Sequence, residues 1–423
     1  MGLNDAAWER LFEKYHILQG IAQNGQFTIS ASQIKEFREP RLMTKFDHRV
    51  NLPEIFAENN LAILPVTRGD YVISSFAAYQ AFAAPDAAVQ RISIPAHMQS
   101  LAPQFLLSEA IALNCANACG ILQDFLEEDA LLPTVSGRMG SGRFDFSIDT
   151  AFGAASLAVN NAQIEIDAAY EGGNALSLFE AKRDLADDFL IRQLYYPFRV
   201  WSDRVTKPVK SVFLVFSNGV FYLYQYQFAD PGHYNSLHLV KQKNYAIVTD
   251  IRLSDLAALL QTVPLAEEPA LSFPQADSMP RIVNLMELLS ERAMTRQDIT
   301  SQYAFDERQT SYYTDAGRYL GLMEKEWGED GTISFRLSRR GRQIMGLAYR
   351  ERQLAIAAQI LMHRVFRETL ALRLQSGEMP DRQTVMRIMK RARLYHVEAD
   401  STYRRRASTV TGWVNWMVNM AEE

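Results

Sequence analysis

The stretch Gln163–Leu194, QIEIDAAYEGGNALSLFEAKRDLADDFLIRQL, leaves this chain few ways to fold. It reads as two short strands joined by a turn and followed by a helix. The first strand ends in Asp167 and the second carries Glu180-Ala181-Lys182. Successive strand side chains point to opposite faces, so Glu180 and Lys182 share one face while apolar Phe179 and Ala181 line the other. A hairpin that brings Asp167 beside Glu180 gathers two carboxylates and an amine at one point. Adjacent carboxylates repel, and a shared proton or a bound cation relieves them. Oxygen ligands select a hard cation, Mg²⁺ foremost. The plainer alternative is an ion pair between Lys182 and Glu180. Glu165 lies two residues before Asp167 on the same face and rivals it as first ligand; Asp167 is preferred because it ends the apolar strand.

The chain around this hairpin has 423 residues, enough for two to four domains of about 100–200 residues each. No apolar run reaches the roughly 18–20 residues of a membrane span, and the first 30 residues lack a signal peptide's pattern, so no membrane is expected and the chain reads as cytoplasmic. Cys115 and Cys119 fall on one helical face with no further Cys or His ligand near in sequence, which suits core thiols better than zinc. From Arg281 onward there are 23 Lys and Arg against 18 Asp and Glu, whereas the preceding residues hold 21 against 31. A basic C-terminal third on an acidic body suggests a polyanion-facing region.

Residues 1–100 read as an N-terminal α+β domain. It opens with an amphipathic helix over residues 1–20 carrying Trp8, Leu11, Phe12, Tyr15 and Leu18, and has strands at Leu61–Val66 and Tyr71–Ile73. Between them Lys35, Arg38, Arg41, Lys45 and Arg49 fall within fifteen residues, a cluster suited to phosphates or simply to a solvated face balanced by Glu36, Glu39 and Asp47. Residues 101–263 read as an α/β layer on a mixed central sheet flanked by helices. A mostly apolar helix over 104–126 carries Glu109 as a conspicuous charge; a helix over Asp187–Trp201 carries Gln193; Val209–Phe216 and Phe221–Phe228 are strands. Gly137 and Gly142 have the spacing of a phosphate loop, but Arg143-Phe144 stands where Lys and Ser/Thr are needed, so no nucleotide cofactor is expected. Arg138 and Arg143 on that loop are candidates for a nucleic-acid backbone, the alternative being a flexible connection. Residues 264–280 read as a linker and 281–349 as a winged helix, with Arg308, Gln309, Tyr312 and Tyr313 on its groove-reading helix. Residues 350–423 read as a second, degenerate winged-helix-like copy, with Arg404, Arg405 and Arg406 at the start of its last helix.

IEID, thirteen residues from Asp167 to Glu180, then Glu-Ala-Lys resembles the Asp…(Asp/Glu)-x-Lys signature of the PD-(D/E)XK nuclease superfamily, nearest to its Type II restriction endonucleases. The resemblance runs from about Gln104 to Tyr245, with Ile166 where the family often has Pro. It makes 101–263 a nuclease core and implies that Asp167 and Glu180 bind Mg²⁺ with the Ala181 carbonyl. Lys182 would position or help deprotonate the attacking water. Glu109 resembles an acid on the preceding helix that completes the metal site, and Gln193 a glutamine on the following helix. The N-terminal domain would then serve DNA recognition or dimerisation.

The expected function is a Mg²⁺-dependent, sequence-specific endonuclease that hydrolyses double-stranded DNA as a restriction enzyme. By analogy with the family it would act as a homodimer, one subunit per strand of a two-fold site. The competing expectations are a DNA-binding regulator with a relic nuclease fold and a structure-specific repair nuclease of the same fold.

Overall fold

The structure, a computed structural model, describes residues 3–83, 89–95, 97–101, 108–247, 251–302, 307–328, 331–395 and 397–421. The chain divides into two compact units, one from Met1–His97, Ser108–Phe216 and Val220–Ala246, the other chiefly from Ile247–Glu423. Among the described residues no helix is long and apolar enough to cross a membrane.

The first unit opens with α1 (Leu3–Lys14) and α2 (Ile17–Asn24). One helix is expected over residues 1–20, but His16 takes a left-handed conformation at φ 50° and breaks it into two. Trp8, Leu11 and Phe12 share the buried face of α1; the Trp8 ring meets Phe56 edge-on at 4.8 Å and its Nε1 donates to the Met43 carbonyl at 2.9 Å. After β1 (Phe27–Ser30), a reciprocal capping box between Ser30 and Gln33 starts α3 (Ala31–Lys35). The short helices α4 (Pro40–Met43) and α5 (Glu54–Glu58) follow, then β2 (Ala62–Pro65) and β3 (Asp70–Ser74), both near their expected places. These strands form an antiparallel sheet in the order β1-β3-β2.

The same unit holds a seven-stranded mixed sheet. The unit's remaining elements are β4 (Tyr79–Ala81), β5 (Val89–Ile92), α6 (Glu109–Ala118), α7 (Ile121–Leu126), β6 (Leu132–Gly140), β7 (Arg143–Thr150), β8 (Gly153–Asn160), β9 (Gln163–Glu171), β10 (Leu176–Lys182), β11 (Asp188–Leu190), α8 (Arg192–Ser202), β12 (Val209–Ser217), β13 (Val220–Phe228) and β14 (Leu237–Ile247), of which β4 with β11 and β7 with β8 form two separate pairs. The sheet order is β5-β14-β13-β12-β10-β9-β6. β9 and β10 form the expected antiparallel hairpin, and α8 carries the chain from β10 to its parallel neighbour β12. The apolar strand β12 is buried nearly throughout, as a central strand should be.

Three local expectations change here. The single helix over 104–126 is α6 and α7, parted at Gly120, whose φ of 77° a helix cannot continue; residues 104–107 lie outside the described residues. The helix over Asp187–Trp201 begins only at Arg192, because Asp188–Leu190 pair with β4. The glycine segment is strand β6 and a tight turn at Gly142 into β7, not an open loop.

In the second unit, α9 (Leu253–Thr262) precedes a stretch without helix or strand in which Phe273 and Ala276 are buried. Then follow α10 (Met279–Glu291), β15 (Met294–Thr295), α11 (Arg296–Gln302), α12 (Glu307–Tyr319), β16 (Met323–Trp327) and β17 (Ile333–Leu337), the strands ordered β15-β17-β16. Thr295 and Asp298 cap α11 reciprocally at 3.0 Å each way. The helix expected to carry Arg308, Gln309, Tyr312 and Tyr313 is α12; residues 303–306 lie outside the described residues. The chain ends in α13 (Arg339–Met345), α14 (Tyr349–Leu361), α15 (Arg364–Ser376), α16 (Arg382–Ala392) and α17 (Asp400–Asn419). Residues 350–423 are therefore helical with no strand among those described, and the expected second winged-helix copy is corrected to a helical region. Its helices bury Phe366, Val385, Ile388, Trp413 and Val414 in one core, so helix-on-helix packing replaces the hairpin of a wing.

Candidate active site

The β9–β10 ladder pairs Ala168 with Phe179 and ends there. The next step would set Asp167 opposite Glu180. Instead the strands part, and Asp167 Oδ2 accepts the Ala181 backbone N–H at 2.8 Å. On its other side β10 stays zipped to β12 through Glu180–Phe213 and Lys182–Val215, which fixes its backbone. Glu165, the rival acid, is turned to β6, where Arg138 Nε donates to it at 3.2 Å. Asp167 is thus the acid of β9 whose carboxylate reaches β10.

Lys182 Nζ donates to Glu180 Oε1 at 2.5 Å, and Gln193 Nε2 of α8 donates to the same oxygen at 2.7 Å. Glu109, in the first turn of α6, brings Oε1 to 4.0 Å from Lys182 Nζ. Ser108 caps that helix by accepting from the Ile111 N–H, which fixes where Glu109 emerges. Asp167, Glu180, Lys182, Glu109 and Gln193, read from sequence as one site, therefore converge.

Burial raises the Glu180 carboxyl to about 7; Lys182 opposes this, Asp167 adds to it. Burial alone would lower the Lys182 ammonium, but the carboxylates of Glu180, Glu109, Asp47 and Asp167 outweigh it and hold it above its ordinary value. Burial also raises Glu109, with Lys182 opposing and Asp167 and Asp184 reinforcing. Burial is thus the main cause of the rise in both carboxyls, whereas the rise at Lys182 comes from the carboxylates around it. Those carboxylates favour the charged form of Lys182.

Asp184 and His48 escape the sequence reading, which places Asp47 only on a solvated face balancing the basic cluster. Buried His48 sets Nδ1 2.5 Å from the Asp188 carbonyl and Nε2 3.4 Å from Asp184 Oδ2. Burial would lower its imidazole, but Asp184 and Asp188 raise it to about 10. The available signals were the acid-rich ArgAspLeuAlaAspAsp run after Lys182 and the AspHis pair within the basic cluster; nothing in sequence joins the two.

Among the described residues no three His, Cys, Asp or Glu side chains stand close enough together to hold a metal ion. Mg²⁺ usually takes only one or two carboxylates and fills its remaining positions with water and phosphate oxygen. Asp167 and Glu180, with the backbone of Ala181 between them, form such a donor set, and the surplus negative charge is what a divalent cation would relieve. The donor chemistry therefore fits a hard cation.

The residues read as DNA contacts are dispersed. In the first unit Arg138 is exposed and paired with Glu165, Arg143 Nε donates to Asn160 Oδ1 at 3.0 Å, Arg38 is half-buried, and Arg41 is exposed on α4. In the second unit Arg308 is exposed on α12, Gln309 and Tyr312 are half-buried, and Tyr313 is in the core. Arg404 and Arg405 are exposed on α17, but Arg406 is only 7% exposed and its guanidinium donates to the Phe273 carbonyl. Arg406 is thus a packing residue.

Three family models match the chain, each described as a domain of unknown function: DUF6996 over residues 5–73, DUF6997 over 74–246 and DUF7226 over 281–422. No curated protein and no solved structure matches it.

Proposed function

We propose that the chain is a Mg²⁺-dependent endonuclease that hydrolyses phosphodiester bonds in double-stranded DNA at specific sequences, in the manner of a restriction enzyme. The observation that carries this reading is the meeting of Glu180 and Glu109 at one buried ammonium, Lys182, beside Asp167, whose carboxylate reaches the Ala181 N–H at the splayed end of β9 and β10. The order helix, antiparallel hairpin, helix, parallel strand supports it, because the resemblance asks for that arrangement around the signature. Asp167 and Glu180 would hold Mg²⁺, with the Ala181 carbonyl. A divalent cation bound there would supply charge neutralisation on the phosphate and lower the pKa of the attacking water. Lys182 holds positive charge where the phosphate's oxygens gain negative charge, Gln193 fixes the Glu180 carboxylate, and Glu109 is a second carboxylate 4.0 Å from Lys182.

The helix–strand–helix–helix–hairpin order of residues 279–337 is that of a winged helix and supports a DNA-holding role for α12. A two-fold target would call for a homodimer. The test is incubation with plasmid DNA and Mg²⁺. The reading expects discrete fragments from the wild type and none from Lys182→Ala or Asp167→Ala, with DNA binding retained in both. Cutting of branched or damaged DNA alone moves the assignment to a repair nuclease. A specific observation favours the regulator: Glu180 is already satisfied by Lys182 and Gln193. Intact plasmid with a retained gel shift would establish it.

A further inference from the structure

We propose that His48 is a positioning residue of this site: it clamps the loop after Lys182 to the segment Phe46–Arg49, and thereby links that segment's cations to the placement of Lys182. The part in catalysis rests on the nuclease reading above; the clamp itself does not.

The segment and the loop are joined by reciprocal contacts. Both ring nitrogens of His48 face acceptors: Nδ1–H donates to the Asp188 carbonyl at 2.5 Å and Nε2 faces Asp184 Oδ2 at 3.4 Å. A ring so placed donates from Nδ1, and the carboxylate within ion-pair reach of Nε2 favours its charged form. The Arg49 N–H donates to Asp188 Oδ1 at 3.1 Å, and the Leu190 N–H donates to the Asp47 carbonyl at 2.9 Å. The chain thus crosses from residues 47–49 to residues 188–190 and back, with His48, 4% exposed, at the centre. Tyr79 OH adds a bond to the Phe46 carbonyl at 2.9 Å.

The clamped loop begins at the residue after Lys182 and ends at Gln193's helix, so it connects two side chains that share Glu180. The clamping segment also sends charge into the site: Asp47 acts on Glu180 and Lys182, and Lys45 acts on Glu109. Lys45 is 71% exposed and Arg49 67% exposed, so both can meet a phosphate while their neighbour His48 stays buried. A backbone engaged by these two cations bears on the strand of chain that holds the loop. Displacements of about 1 Å in such supports cost on the order of 100-fold in rate.

The experiment uses full-length His48→Ala and His48→Asn, the second keeping an N–H donor for the Asp188 carbonyl. Hydrogen exchange read on peptides covering Arg49 and Leu190 should quicken by about 10-fold or more in His48→Ala and recover in part in His48→Asn, with β12 and β13 unchanged. Cleavage by His48→Ala should lose on the order of 100-fold in kcat with KM for DNA nearly constant, and His48→Asn should regain part of it. Unchanged exchange in His48→Ala overturns the clamp, and so does faster exchange spread through β12 and β13, which marks a general stability role. Normal kcat in His48→Ala overturns the catalytic link alone. A wild type that cuts no DNA refutes the nuclease reading, and the exchange measurement then still decides the clamp.

Discussion

Asp167 Oδ2 accepts the N–H of Ala181 at 2.8 Å, one step beyond the last paired residues of the β9–β10 ladder. The carboxylate replaces a missing ladder bond, and its charge acts on Glu180 and Lys182. The two duties separate by substitution. Asp167→Asn keeps an acceptor for Ala181 and should lose cleavage with little change in stability. Asp167→Ala orphans a buried N–H and should lose about 1–3 kcal/mol as well. Urea unfolding beside plasmid cleavage reads both, and equal stability in the two variants would refute the bridging role.

Glu180 shares its Oε1 between Lys182 and Gln193. Removing it leaves a buried ammonium facing Glu109 at 4.0 Å as its nearest remaining ion pair. Glu180→Ala should therefore destabilise by about 3–5 kcal/mol, as when one partner of a buried pair is lost. Glu180→Gln keeps an acceptor for both donors and should cost less than half of that, while both variants lose cleavage. A denaturant midpoint that ranks the two the other way would contradict this account of the ion pair.

His48 makes stability depend on pH in a definite direction. Its folded pKa, about 10, lies above the ordinary 6.5, so the folded state binds the proton more tightly. The resulting stabilisation is complete below about pH 6.5 and is lost as pH rises through about 10. Its ceiling is about 5 kcal/mol. The gap in unfolding free energy between wild type and His48→Asn should accordingly be wide at pH 6 and narrow at pH 10. A gap independent of pH would show that His48 is neutral in the folded protein.

Surplus carboxylate around Lys182 predicts that Mg²⁺ stabilises the folded chain. Binding to the folded state alone adds about 2.7 kcal/mol at a concentration 100-fold above Kd. The thermal midpoint should rise with MgCl₂ in the wild type and stay level in an Asp167→Asn, Glu180→Gln double variant, with NaCl of equal ionic strength as the control. An equal rise in both proteins would place any bound ion elsewhere.

How much of this was legible in sequence depends on how local the cause is. The β9–β10 hairpin follows from alternation, whereas Gln193 and Glu109 joined the site only through the resemblance to the nuclease family, which expects such residues on the helices either side of the hairpin. The breaks at His16 and Gly120 are single residues with positive φ inside apolar periodicity, which the period alone conceals. The pairing of β4 with β11 pulled Asp188–Leu190 out of the expected helix, because a tertiary contact outweighed local preference. The contact from His48 to Asp188 spans 140 residues, and no pattern on either side marks it. Arg404–Arg406 looked alike as a run, yet helical geometry turns Arg406 inward.

That difference within one arginine run yields the last prediction. On α17, Arg404 and Arg405 are exposed, whereas the Arg406 guanidinium donates to the Phe273 carbonyl from a buried position. Arg404→Ala and Arg405→Ala should leave stability within about 0.5 kcal/mol of wild type. Each that meets a phosphate should reduce the slope of log K against log salt by about 1. Arg406→Ala removes a charged hydrogen bond and the packing of its stem, and should cost about 2–3 kcal/mol without changing that slope. Salt-dependent DNA binding and chemical unfolding of the three variants separate the two roles. A slope that falls in Arg406→Ala while stability holds would place its guanidinium on DNA instead of on Phe273.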